Sequence, residues 1–341
     1  MFLMHQQDLR PEAVLEAVLS FLDGGGCNAT FEGEYGNDDY RVFRVSFSDL
    51  PSVVLRVEHP RHGEAAQAIL DRAESERRMY DRLGTVDFHW STRLVGASLS
   101  FDNPIRYPFL VLDFAGEDRL RWSDASPPEP ARGNLLARLA GIQLQLIQRT
   151  LETREMTAYE YFEEKIQRRL QRIRQGKLPE LVEQDVLDQL ALLPQVLGDE
   201  KDSRQFAMEH GNLGAGSIIS GDQFIIEAIV DWGSAEMVPV VQAARLPPLL
   251  WCSDSADDKD SAEAPSAAML LDRAAYVAAV AALGPEAGDS PDAAAAMRRA
   301  QTGPGVGFRT LFLESIKSES MLTSMAAAGW TLPYSTLHAE D

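Results

Sequence analysis

Apolar positions recur along this chain with two different periods, and the change between them divides it. Residues 11–22 place Val14, Leu15, Val18, Leu19 and Leu22 on one face of a helix that runs out at Gly24-Gly25-Gly26. From Asn28 the pattern is that of strands, predicted over 28–35, 40–47 and 52–57, with turns at Gly36-Asn37-Asp38 and Asp49-Leu50-Pro51. A helix predicted from Gly63 to Leu83 aligns Ala65, Ile69, Ala73, Glu76, Tyr80 and Leu83. Glu76 thus takes the inward phase among apolar residues, where an unpaired carboxylate is costly, and Arg56 on the preceding strand is its expected partner. Two further strands, over 90–98 and 107–114, lead to Gly116-Glu117-Asp118.

Beyond the rigid Pro-rich loop at 126–130, the helical period takes over. Leu135, Leu139, Ile142, Leu146 and Ile147 mark a buried helix over 134–150, and Phe162, Ile166, Leu170 and Ile173 mark another over 159–174 beneath a basic outer face. A third covers 182–197. The exception to the helical pattern is the stretch from Glu209 to Pro239. A polar, Gly-rich loop passes into Ile218-Ile219, turns at Ser220-Gly221-Asp222, and rises again from Phe224 to Val230 to deliver Asp231 and Trp232. Two β-rich runs about a turn read as a hairpin. The apolar run 238–251 and helices over 269–283, 292–301 and 308–328 complete the pattern.

Composition narrows the function classes. The chain has 341 residues, 45% of them apolar, which is ample for a core or for two modest domains. A formal net charge of −20 argues against nucleic acid or an anionic membrane as partner, because a phosphate-rich surface would be repelled. The acid falls largely in expected loops such as 253–263, as on a solubilising surface. Cys27 and Cys252 lack metal-ligand spacing, and the first residues show no basic region ahead of a long apolar core. Cytoplasm is the expected compartment.

The hairpin carries the chemistry. His210, Gly211, Asn212, Leu213, Gly214, Ala215, Gly216, Ser217, Ile218 and Ile219, followed by Asp231 and Trp232, resemble the catalytic segment of the aminoglycoside phosphotransferase and choline kinase family, which reads H-G-D-L-x-P-G-N-I-L and then a strand ending in D-W. The resemblance runs from about Cys27 to Trp251 and is specific between His210 and Trp232. It implies an α+β, two-lobed, protein-kinase-like fold, with a small antiparallel β-rich lobe over 1–115 and a larger, mainly helical lobe over 116–341 that holds the acceptor or small-molecule pocket. It implies ATP and Mg²⁺ as cofactors. The lysine that would meet the nucleotide phosphates is replaced by Arg56, paired with Glu76; Gly33, Gly36 and Asn37 would line the phosphate-covering turn; Gly116-Glu117-Asp118 would be the hinge where adenine docks.

Two catalytic positions depart from the family. The base position holds Asn212, whose amide can orient a hydroxyl but cannot take its proton, a loss worth about 10²–10⁴ in rate. The first metal position holds Ser217, a neutral and shorter ligand; the second, Asp231, is conventional. His210 is expected to support the loop backbone. These substitutions predict a degraded phosphotransfer centre, with ATP and Mg²⁺ binding weakened or lost. The chain is then a small-molecule-binding pseudokinase or an enzyme repurposed for another step of small-molecule metabolism. The alternatives are an active ATP/Mg²⁺-dependent phosphotransferase in which Asn212 orients the acceptor, and a protein-binding pseudokinase.

Overall fold

The computed structural model describes residues 9–22, 28–36, 40–59, 64–251, 266–283, 291–302 and 305–331. In chain order these form α1 (Pro11–Leu19), β1 (Ala29–Gly36), β2 (Tyr40–Phe47), β3 (Val53–Glu58), α2 (Ala66–Thr85), β4 (Leu94–Ser98), β5 (Phe109–Asp113) and α3 (Ala131–Thr150). Then follow β6 (Glu152–Thr153), α4 (Ala158–Arg174), α5 (Glu183–Leu197), β7 (Gln205–Glu209), β8 (Ile218–Ser220), β9 (Ile226–Ile229), β10 (Glu236–Pro239) and α6 (Val240–Ala243). The last helices are α7 (Ala267–Ala282), α8 (Pro291–Gln301), α9 (Val306–Ser315) and α10 (Glu319–Ala327). Two compact units result: one takes the described residues up to Asp118 together with Glu227–Ala235, the other runs from Arg119 to Ile226 and onward from Glu236.

The first unit is a five-stranded antiparallel sheet in the order β1-β2-β3-β5-β4. Strand alternation sorts its side chains. Phe43, Val45, Val53, Leu55, Val57, Phe109 and Val111 share one core with Val14, Ala17 and Val18 of α1. The intervening residues, Arg44 and Arg56 among them, therefore belong to the other face. Two strands start later than the pattern predicts. Pro108 has no N–H for a ladder, so β5 starts at Phe109; residues 90–93 stay out of β4 because the Trp90 carbonyl accepts the Ile229 N–H at 2.6 Å and Ser91 bridges to Ile229.

In the second unit α3 is the central buried helix, with Leu135, Leu136, Leu139, Ile142, Leu146 and Ile147 all inward. Its Gln143 donates to the carbonyls of Ala243 and Arg245, each at 2.8 Å, so the polar group is satisfied rather than stranded. α4 opens with a reciprocal cap between Thr157 and Glu160 and packs on α5. A small antiparallel sheet, β10-β7-β6, carries β7 through the interior. The single helix expected over 308–328 is two. Arg169 donates to the Ser315 and Ile316 carbonyls at 2.7 and 2.8 Å, terminating α9, and the Ser318 hydroxyl accepts from the Met321 N–H at 3.1 Å, starting α10. No helix among the described residues is long and apolar enough to cross a membrane.

Candidate functional site

In the first unit Arg56, Glu76 and Asp231 come together. β3 presents Arg56, 5% exposed, away from the α1 core; α2 presents Glu76, 3% exposed, in the phase its sequence predicts. Arg56 Nε lies 2.8 Å from Glu76 Oε1, as a charge contact rather than an aligned hydrogen bond, and Arg56 Nη1 donates to Asp231 Oδ1 at 3.2 Å. The Tyr40 ring covers the guanidinium at 3.8 Å. Asp231 adopts a left-handed backbone conformation, φ 67°, which Asp tolerates better than most residues. Trp232 follows, fully buried, its indole N–H donated to the Ile229 carbonyl at 2.9 Å. This ties down the segment that aims Asp231 at Arg56.

Burial works to lower the Arg56 pKa, but Glu76, the tyrosine oxygens of Tyr80 and Tyr40, and Asp231 outweigh it and hold the guanidinium charged, above its ordinary value. Glu76 is pushed up by burial and by repulsion from Glu58 and Asp231, with Arg56 opposing. One cation thus serves two acids. Gly233 completes the cluster: a Cβ there would lie 2.8 Å from Arg56 Nη2 and 3.5 Å from Glu76 Cδ.

Gly33 sits opposite Arg44 at a β-bulge between β1 and β2. Gly36 has a structural reason of its own, since a Cβ would meet the Tyr40 carbonyl at 2.6 Å where the hairpin closes. Asn37 lies outside the described residues.

In the second unit the loop after β7 gathers His210, Asn212 and Ser217. The Asn212 N–H donates to His210 Nδ1 at 3.3 Å, so the buried imidazole braces the loop backbone. The Asn212 carbonyl accepts from the Gly214 N–H at 3.0 Å and from the Ser217 hydroxyl at 2.8 Å, while the Asn212 side chain is exposed. The turn is further pinned by the Leu249 N–H on the Leu213 carbonyl, 3.1 Å, and by Arg119 on the Gly216 carbonyl. Beyond it, the Gly221 N–H donates to the Ile225 carbonyl at 2.9 Å, closing the turn between β8 and β9.

Sequence reasoning did not single out Glu209, immediately before this loop. It is 6% exposed, accepts from Gln242 Nε2 at 2.7 Å, contacts Lys317, and lies 3.7 Å from Arg245, which also pairs with Glu314. Directly across the strand pair, Glu236 accepts from Lys165 and Tyr161 at 2.7 and 2.9 Å. The available signal was position: an acid ending a strand whose preceding residues Phe206, Ala207 and Met208 are all buried cannot itself face water. Among the described residues no group of three His, Cys, Asp or Glu side chains is placed to hold a metal ion.

No protein-family model matches the chain, and no curated protein matches it by sequence. Solved structures do. An ADP-bound aminoglycoside phosphotransferase, APH(2'')-Ib, aligns at TM-score 0.53 and 12% identity over 94% of this chain and 96% of its own. The streptomycin–ATP complex of APH(2'')-IIa aligns at 0.53 and 11% over 93% and 95%. An ethanolamine kinase from Plasmodium vivax aligns at 0.53 and 10% over 88% and 82%. With its antiparallel β-sheet region followed by a helical region, the chain has the kinase-like fold of these aminoglycoside phosphotransferases and ethanolamine kinase.

Proposed function

We propose that this protein is a pseudokinase of the aminoglycoside-phosphotransferase type, with a degraded phosphotransfer centre kept as a small-molecule-binding scaffold or turned to another step of small-molecule metabolism. The observation that carries this reading is that two acids and a tyrosine ring already engage Arg56. Its guanidinium would have to meet nucleotide phosphate, yet it is buried, covered by Tyr40, and shared between Glu76 and Asp231, the acid that would hold magnesium. The base position fits phosphoryl transfer poorly as well, because Asn212 offers an amide where a proton acceptor is required.

A second reading, an active ATP/Mg²⁺-dependent phosphotransferase in which Asn212 orients the acceptor hydroxyl and Asp231 with Ser217 holds magnesium, is favoured by the assembled Arg56–Glu76 pair, an arrangement active kinases require. The two readings part in one measurement: Mg²⁺-ATP hydrolysis and phosphoryl transfer by the wild type and by Asp231→Asn. Equal background turnover in both is the expected result. Wild-type turnover tenfold or more above that of Asp231→Asn would overturn the pseudokinase reading in favour of the second.

A further inference from the structure

The sheet face of the first unit that carries Arg56 also carries a second arginine that the phosphotransfer reading does not use. Arg44 lies on β2 between Phe43 and Val45, both in the α1 core, so it belongs to the same sheet face as Arg56. Its cross-strand partner is Val54, two residues along β3 from Arg56, about 7 Å nearer the hinge that follows β5. The guanidinium stacks on the Phe114 ring at 4.1 Å and pairs with the Glu117 carboxylate. Glu117 also accepts the Tyr35 hydroxyl at 3.2 Å, which draws β1 into the same contact. Stacked on an aromatic ring and hydrogen-bonded to a hinge residue, a planar group of this chain makes the kinds of contact that a purine base would make at a hinge.

Taking this together with the doubly engaged Arg56, and resting on the pseudokinase reading above, we infer that this sheet face of the first unit is occupied from within: Arg44 fills the place a purine base would take beside Phe114 and Glu117, and Arg56 neutralises the acid of the metal position, so that the protein takes no purine nucleotide there. The space argument is direct. A base inserted between two contacting groups needs about 3.5 Å on each of its faces, roughly 7 Å in all, whereas the guanidinium already touches Phe114. Arg44 is held there by one carboxylate and one ring face, its Nε having no acceptor among the described residues. A substitution at 44 therefore opens the slot without breaking a larger network. The small molecule this protein binds is then one that does not depend on the adenine slot.

Adenosine tests this without involving phosphoryl transfer. Thermal melts and calorimetric titration with adenosine and with Mg²⁺-ATP would be run on the wild type and on Arg44→Val, which keeps a strand-forming residue in β2. The expected result is no saturable effect on the wild type up to millimolar ligand, and saturable adenosine binding at least tenfold tighter in Arg44→Val. Arg44→Lys, which lacks the planar fork, is read in the same way should Arg44→Val fold poorly. Saturable adenosine binding by the wild type overturns the inference while leaving the pseudokinase reading intact, since adenosine carries no phosphoryl group. A folded position-44 variant that gains no binding overturns it too.

Discussion

The two charged clusters are near mirror images in chemistry. In the first unit one cation, Arg56, is shared by two acids, Glu76 and Asp231; in the second one acid, Glu209, is shared by two cations, Lys317 and Arg245. Arg56 lies inside β3 and Glu209 ends β7, and both adjoin a position where the resemblance expects catalytic chemistry. They differ in redundancy. Glu76 and Asp231 both lean on one guanidinium, whereas of the two cations on Glu209 Arg245 also pairs with Glu314, and Gln242 approaches the Glu209 carboxylate as a neutral amide. A cluster hung on one group is brittle, and a cluster with alternate pairings can lose a member and rearrange.

The largest effect follows from that asymmetry. Arg56→Met removes the cation from the buried Glu76 carboxylate and one contact from Asp231, and should cost about 3–5 kcal/mol, the usual penalty for breaking a buried pair from one side. Glu209→Ala should cost less, about 1–3 kcal/mol, because Arg245 retains its second partner. Equilibrium denaturation of both variants checks the order. A Glu209→Ala loss equal to or greater than that of Arg56→Met would remove the distinction between the two clusters.

The same contrast explains what could be read in the sequence. Arg56 and Glu76 were legible because helix phase is local: the 69, 73, 76, 80, 83 spacing forces Glu76 inward, and a buried acid needs a cation on the neighbouring strand. The catalytic-type loop was legible as a pattern of residues. Glu209 was not, because its partners come from α6, from the residue at 245 and from the α9–α10 junction, and no local period connects these to β7. The junction itself was hidden for a related reason: α9 is terminated by the side chain of Arg169, more than a hundred residues upstream. The Arg44–Glu117 contact likewise depends on the sheet bringing β2 against the segment that follows β5.

Gly233 sharpens the first cluster at smaller scale. A methyl at 233 would press on Arg56 Nη2 from 2.8 Å, and the guanidinium has little room to yield, with Tyr40 on its face and Glu76 at its Nε. Gly233→Ala should therefore cost about 1–3 kcal/mol, as overpacking does, and the loss should shrink in an Arg56→Met background where the clashing group is gone. A double-mutant cycle measures this directly. Strict additivity of the two losses would show that Gly233 answers to the backbone and not to Arg56.

The smallest effect expected concerns the second cluster and pH. Burial, and then the neighbouring Lys165 ammonium, lower the Lys317 pKa from its ordinary 10.5 to about 7, while the contact with Glu209 works the other way. Facing the same region are Glu236 from β10, paired with Lys165, and Gln242 from α6. With the folded value below the unfolded one, the unfolded chain holds a proton between about pH 7 and 10.5 that the folded chain lacks, so stability rises with pH through that window and is flat below it. Lys317→Met removes the titration, so the wild type should gain stability relative to this variant as pH climbs from about 7 towards 10. The side chain is 23% exposed, and solvent screening together with the Glu209 contact holds the gain to about 1 kcal/mol. Melting curves of the two proteins across that range decide which influence prevails. A constant difference would mean that Glu209 keeps the ammonium charged throughout, making the second cluster a true ion pair like the first.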